Sequence, residues 1–170
     1  MNVSRNRVRD LDNRWQKDAL DLKPDVVSIL IGVNDVNAIV SSNVAEPVGR
    51  FEETYKRILD RTLEALPDTL FVLMEPFILP LGHVNNRTEI WNDEILKRQQ
   101  IIQNLANTYH TMHVKLQEPF TKACEKAPAK YWIWDGIHPM PAGHELMARL
   151  WLQEVRKTLT FIKRRSLLLP

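Results

Sequence analysis

Apolar positions along the chain alternate between helical spacing and short continuous runs. Over residues 6–21, Val8, Leu11 and Trp15 return at helical spacing between arginines and aspartates, which predicts an amphipathic helix with Asn6 as its N-cap. After the turn Lys23-Pro24-Asp25, the run Val26-Val27-Ser28-Ile29-Leu30-Ile31 ends at Gly32. That pattern predicts a strand buried on both faces of a parallel sheet. Pro47 opens a second helix, in which Val48, Phe51, Tyr55, Ile58, Thr62 and Leu66 share one stripe. Leu70-Phe71-Val72-Leu73-Met74 reads as the next buried strand, and residues 75–88, with Pro76, Pro80 and Gly82, as a loop. Trp91, Ile95, Ile102, Ala106 and Tyr109 mark one side of a long helix. A third strand is predicted near residues 112–116, a short helix around 120–126, and a final helix from Pro141 that turns Leu146, Leu150 and Leu159 inward.

Strand and helix thus alternate three times. The order predicts an α/β fold of three layers, a parallel sheet between helices with right-handed crossovers. One domain is expected over residues 1–160, with a basic and apolar tail at 161–170. In such sheets chemistry collects at the carboxyl ends of the strands.

Composition removes several function classes. At 170 residues the chain is large enough for one real core. Lys+Arg 23 against Asp+Glu 21 leaves a formal charge of +2, and the one basic cluster, Lys163-Arg164-Arg165, is terminal. No electrostatic footprint for nucleic acid or an anionic membrane results. Cys124 is the single cysteine, so no internal disulfide forms; it reads as a small packed side chain and not as a nucleophile. No apolar run has the form of a signal peptide or the length of a membrane span, and the expectation is a soluble, cytoplasmic protein. His110 and His113, and His138 and His144, lack the supporting ligand pattern of a hydrolytic metal site, so neither metal nor cofactor is expected.

Two polar motifs fall where a sheet of this kind places its chemistry. Gly32-Val33-Asn34-Asp35 follows the first strand, and Asp135-Gly136-Ile137-His138-Pro139 precedes the last helix. An aspartate beside an imidazole holds one tautomer and stabilises the imidazolium, as in a serine-hydrolase triad. The bland alternative is a turn aspartate with a histidine beside a helix start. Asn34 and Asp35 have two readings as well: they end a strand and cap the next helix, or the Asn34 amide donates to a developing oxyanion.

Together these motifs resemble the third and fifth sequence blocks of the SGNH (GDSL-type) hydrolases. The surroundings are similar to one branch of that superfamily, the bacterial acetylesterases of xylan and xylo-oligosaccharides: Asn6-Arg7-Val8-Arg9-Asp10-Leu11 before Arg14-Trp15, Ile31 to Val36, and Trp134-Asp135 through Ala142-Gly143-His144. The resemblance runs from about residue 2 to residue 151. It implies a flavodoxin-like sheet lacking its first strands, His138 as general base, Asp135 as its orienting carboxylate, and Asn34 as an oxyanion donor. Trp134 is implied as a wall of the acyl pocket, although core packing explains a tryptophan there equally well.

Two departures from the family pattern matter. The sequence contains no Gly-Asp-Ser, the block that carries the nucleophile, and the second block reads Ser4-Arg5-Asn6 where the family has Ser-Gly-Asn. Arg5 keeps a backbone N–H as oxyanion donor but adds a side chain where the substrate approaches. Ser28 lies within a strand, Ser41 and Ser42 fall in a loop, and Ser4, closest in sequence to the expected site, also reads as a cap. Without the first strands, residues 26–31 form an open apolar edge. The expectation is therefore a truncated or internally initiated product of a longer esterase, or an edge covered by another chain, including a second copy. Three functions follow: an esterase acting on a small-molecule or oligosaccharide ester and deacetylating a carbohydrate; an inactive relative that binds a carbohydrate or partner chain; or a lysophospholipase or other acyl esterase, for which Phe77, Ile78, Leu79 and Leu81 supply apolar surface.

Overall fold

The structure, a computed structural model, describes residues 6–42 and 47–159. Three parallel strands, β1 (Val26–Leu30), β2 (Leu70–Met74) and β3 (Met112–Val114), lie in the order β1-β2-β3. Val26 faces Leu70 and Leu30 faces Met74, while Val72 faces Met112. The helices are α1 (Val8–Asp18), α2 (Val33–Ser42), α3 (Val48–Ala65), α4 (Thr88–Thr108), α5 (Gln117–Ala123), α6 (Ala129–Trp132) and α7 (Pro141–Val155), with short 3-10 turns at Leu20–Leu22 and Gly82–Arg87.

Alternation along each strand divides the core. Ile29, Phe71 and Leu73 point to one face, where Val8 and Trp15 of α1, Phe51 to Leu59 of α3, and Ile101 to Ala106 of α4 cover them. Val72, Met74, Met112 and Val114 point to the other, against Phe120 of α5, Val155 of α7 and Leu159 just beyond it. A third cluster joins Val36 and Val40 of α2 to Trp91 and Ile95 of α4 and to Ile78, Val84 and Ile137. The three-layer α/β/α expectation therefore holds, and each layer buries the apolar stripe read from the sequence.

Three expectations change, while Cys124 keeps its reading as an unreactive side chain. The first strand is not buried on both faces: Ser28 is exposed and Leu30 retains 41% of its surface, because β1 is the sheet edge; the Trp151 indole, donating to Ser28 Oγ at 2.9 Å, reaches across it. The first helix starts later, with Arg7 and not Asn6 at its N-cap, and the Asp10 carboxylate accepts the Arg7 N–H at 2.9 Å. Ser41 and Ser42 close helix α2 and do not lie in a loop. Cys124 follows α5 as its C-cap, half-buried, and burial pushes its thiol pKa up, which keeps it protonated.

Candidate active site

The loop before α7 is a small hairpin. Ile133 bridges Pro139 in antiparallel fashion, the Trp134 N–H donates to the His138 carbonyl at 3.1 Å, and the Met140 N–H donates to the Trp132 carbonyl at 2.9 Å. Residues 135–138 form its tip. There Asp135 Oδ1 accepts the N–H groups of Ile137 (3.0 Å) and His138 (2.9 Å), and Oδ2 lies 2.7 Å from His138 Nδ1. A carboxylate accepts only, so Nδ1 carries the proton and donates. Nε2 is left as the acceptor, with no partner among the described residues, on a side chain that is 57% exposed.

Asp135 itself is only 16% exposed. Burial works against its ionisation, but the hydrogen bonds from the His138 ring and from the Ile137 and His138 N–H groups outweigh it and hold the carboxyl below the usual aspartate range. It is ionised throughout the neutral range. The pair thus has a fixed tautomer, a fixed anion and one free basic nitrogen.

At the carboxyl end of β1, Gly32 takes φ +119°, with Phe51 and Pro76 close to where a side chain would begin. The two residues that follow do different work. Asp35 is 1% exposed, and its carboxylate accepts the Val8 N–H at 3.2 and 3.3 Å, anchoring the first turn of α1. Asn34 is half-buried and its amide donates to the Asn6 carbonyl at 3.1 Å. Asp35 is therefore structural, and the Asn34 amide, near the end of the strand, is held by the Asn6 carbonyl. Asp35→Ala is expected to lower stability by about 1–3 kcal/mol, since a buried N–H loses its acceptor. Urea denaturation measures it, and a change under about 0.5 kcal/mol would be that of an ordinary surface substitution instead.

A small apolar pocket of about 50 Å³ opens between these two motifs. Leu30 and Val33 line it from the end of β1, Pro76 and Phe77 from the loop after β2, and Ile137 and Pro139 from the hairpin. A wider groove of about 330 Å³ follows the free edge of β1, lined by Asn6, Arg14, Trp15, Ser28, Ile31 and Asn34. Trp134 lines neither; it is 62% exposed, with its ring centroid 6.0 Å from that of His138.

Ser4 and Arg5 lie outside the described residues, as do the tail 161–170 and its basic cluster. The Ser28 hydroxyl accepts from Trp151 and the Ser41 hydroxyl donates to Asn37 at 3.0 Å; neither bonds to His138. Among the described residues no three His, Cys, Asp or Glu side chains gather as metal ligands, and no helix is long and apolar enough to cross a membrane. His113, half-buried on β3, has its pKa lowered by burial, and His144 is exposed on α7.

The sequence reading did not identify the brace behind the hairpin. Buried Glu75 accepts the N–H groups of Leu116 (2.7 Å) and Gln117 (2.8 Å). Gln117 in turn accepts from the Ile78 N–H at 3.1 Å and donates to the Ile78 carbonyl at 2.9 Å. The Leu79 N–H then donates to the Gly136 carbonyl at 3.0 Å, between Asp135 and His138. The one local sign of it was glycine: Gly136 and Gly82 both have positive φ where the two loops touch.

Comparison with known proteins gives a consistent picture. The model of the GDSL-like Lipase/Acylhydrolase family matches residues 1–146. The acetylxylan esterase of Geobacillus stearothermophilus is 29% identical over 155 residues, 90% of this chain and 69% of that protein. Its crystal structure has a TM-score of 0.76 at 28% identity, covering 89% of this chain and 68% of that one. Catalytic mutants of that esterase have been crystallised at a serine near its N-terminus and at an aspartate and a histidine spaced as Asp135 and His138 are. A GDSL-like lipase from Parabacteroides merdae is 36% identical with a TM-score of 0.84, over 89% of this chain and 69% of that one. With most of its length matched by the family model and its parallel sheet shared with these structures, this chain belongs to the GDSL-like lipase/acylhydrolase family of ester-hydrolysing serine hydrolases.

Proposed function

We propose that this chain carries the base and an oxyanion donor of a serine esterase that removes acetyl groups from a carbohydrate. The observation that carries the reading is the 2.7 Å contact between Asp135 Oδ2 and His138 Nδ1, which leaves Nε2 basic and open. In the reaction His138 Nε2 takes the proton of a serine hydroxyl as that oxygen attacks the ester carbonyl, and Asp135 stabilises the imidazolium. The tetrahedral oxyanion accepts from the Asn34 amide, which exchanges its bond to the Asn6 carbonyl for one to the substrate. On collapse, His138 returns its proton to the departing sugar oxygen. Water then attacks the acyl-enzyme with His138 again as base, releasing acetate. The acetylxylan esterase relative and the matching spacing of its catalytic aspartate and histidine support this choice of substrate.

The serine in this proposal arrives on a strand paired to the free edge of β1, where the 330 Å³ groove runs past Asn34. The same open edge, together with the lack of a Gly-Asp-Ser, favours the second reading, a scaffold that binds without turnover. One experiment separates them. Hydrolysis of 4-nitrophenyl acetate is measured for the chain alone and for a fusion that places a Gly-Asp-Ser strand of the family ahead of Met1, each beside its His138→Ala form. The fusion is expected to exceed its His138→Ala form by about 10³-fold or more. Turnover by the chain alone that His138→Ala abolishes would put the nucleophile within these residues and make Ser4 the next to change. A fusion whose rate ignores His138→Ala would sink the proposal.

A further inference from the structure

Two different surfaces adjoin His138. Its chain neighbours Ile137 and Pro139 line the apolar pocket of about 50 Å³, while Trp134, which does not line it, presents an exposed ring tilted by 30° to the imidazole. We propose that the ester is divided between these two surfaces: the acyl methyl enters the pocket, and the alcohol half, a pyranose ring, lies against Trp134. The proposal rests on the esterase reading above and assigns Trp134 to the sugar and not to the acyl wall.

Size argues for the first half of this division. An engineered cavity of about 150 Å³ holds benzene, and a water molecule occupies about 30 Å³ of liquid. A hydrocarbon-lined space of about 50 Å³ suits a methyl group better than the extended tail of a longer acyl chain. Rigidity argues for the second. The Trp134 N–H is tied to the His138 carbonyl, and Ile133 before it is fully buried and bridged to Pro139, so the indole is held on a fixed backbone. A pre-set aromatic face loses little entropy on binding. Its broad apolar surface matches the C–H face of a pyranose, whose hydroxyl groups stay at the rim in water. The Trp134 ring centroid lies 6.0 Å from that of His138, so a sugar seated on the indole brings its ester close to the imidazole.

The test uses the chain itself, labelled with ¹⁵N and with ¹³C in its isoleucine, leucine and valine methyls, and three probes: xylotriose, mono-acetylated xylotriose and octanoyl-xylotriose. Xylotriose is expected to shift the Trp134 indole signal without moving the Val33 and Ile137 methyls. The acetylated sugar should shift all three, and the octanoyl sugar should shift the indole alone. Trp134→Ala should weaken xylotriose binding by at least about 10-fold while Trp134→Tyr stays within about 3-fold, with the fold of both checked by circular dichroism. An unmoved Trp134 indole, a Trp134→Ala chain that binds as the wild type does, or an octanoyl group that shifts the pocket methyls would overturn the proposal. None of these readouts needs turnover. Sugar binding at Trp134 without His138-dependent hydrolysis would count against the esterase reading, and hydrolysis with a silent Trp134 would count against this one.

Discussion

Asp135→Asn in the serine-bearing fusion is expected to lower kcat/KM for acetate esters by about 10⁴-fold, the size of loss seen when a triad aspartate becomes an amide. The cause is tautomeric. An asparagine can turn its NH₂ toward His138 Nδ1, and the imidazole then carries its proton on Nε2, where it cannot accept one from the serine. Because the carboxylate touches no substrate, KM should stay close to wild type and kcat should fall. A loss below about 10-fold would remove Asp135 from the mechanism. A second readout needs no activity. The Asp135 carboxyl sits below the ordinary aspartate value of about 3.9, so its contribution to stability is present above that pH and is lost as the pH falls through the folded-state value. The wild type should therefore be more stable than Asp135→Asn at pH 7, and the gap between their urea midpoints should close toward pH 3.

The dyad was legible because both partners and their contact lie within four residues of sequence, Asp135 to His138. The strands were legible for a related reason, since runs such as Leu70 to Met74 carry a strong local signal and most of that strand is in fact buried. What failed depended on neighbours. The open edge of β1 was legible from the absent first strands, but Ser28 and Leu30 looked like interior positions because the run around them is β-branched. Helix α2 was only partly read. The sequence offered it only as the next helix that Asn34 and Asp35 could cap and put Ser41 and Ser42 in a loop, so the spacing of Val36 and Val40 went unused. Arg98 shows the same limit on α4. It is fully buried against the Phe51 ring, with its guanidinium 5.8 Å from the ring centroid and bonded to Glu94; its position falls on the stripe of Ile95 and Ile102, but its charge argues for the outside. Among the described residues nothing pairs its Nε and Nη2 atoms.

The brace behind the hairpin was illegible because its contacts join residues 39 to 57 positions apart. Its function is visible in the order of its links. Glu75 fixes the start of α5, Gln117 fixes Ile78, and Leu79 fixes Gly136, so the carboxyl end of β2 and the Asp135 hairpin move as one piece. Such support from outside the reacting groups is what keeps a hydrogen bond like that of Asp135 and His138 at its working length. The esterase chemistry and the stability of the fold therefore share residues.

Gly136→Ala is accordingly expected to be the most damaging single methyl in the hairpin, lowering stability by about 3 kcal/mol or more. Two costs add. Gly136 has φ +101°, outside the range a side chain adopts easily, and its Cβ would stand 2.5 Å from the Leu81 carbonyl oxygen and 2.6 Å from Val84 Cγ2. The oxygen belongs to backbone and cannot rotate away. Relief requires the hairpin and the loop at residues 79–84 to separate, which breaks the Leu79 to Gly136 hydrogen bond and tilts Asp135. For a chain of this length a loss of 3 kcal/mol lowers the melting temperature by roughly 6–12 °C. Gly49 provides the internal control, because a Cβ there meets nothing within 4 Å and Gly49→Ala removes a flexible residue from the first turn of α3. That variant should melt at or slightly above the wild-type temperature. If Gly136→Ala melts within about 2 °C of wild type, the two loops are not in contact as described, and the rigid support proposed for His138 goes with them.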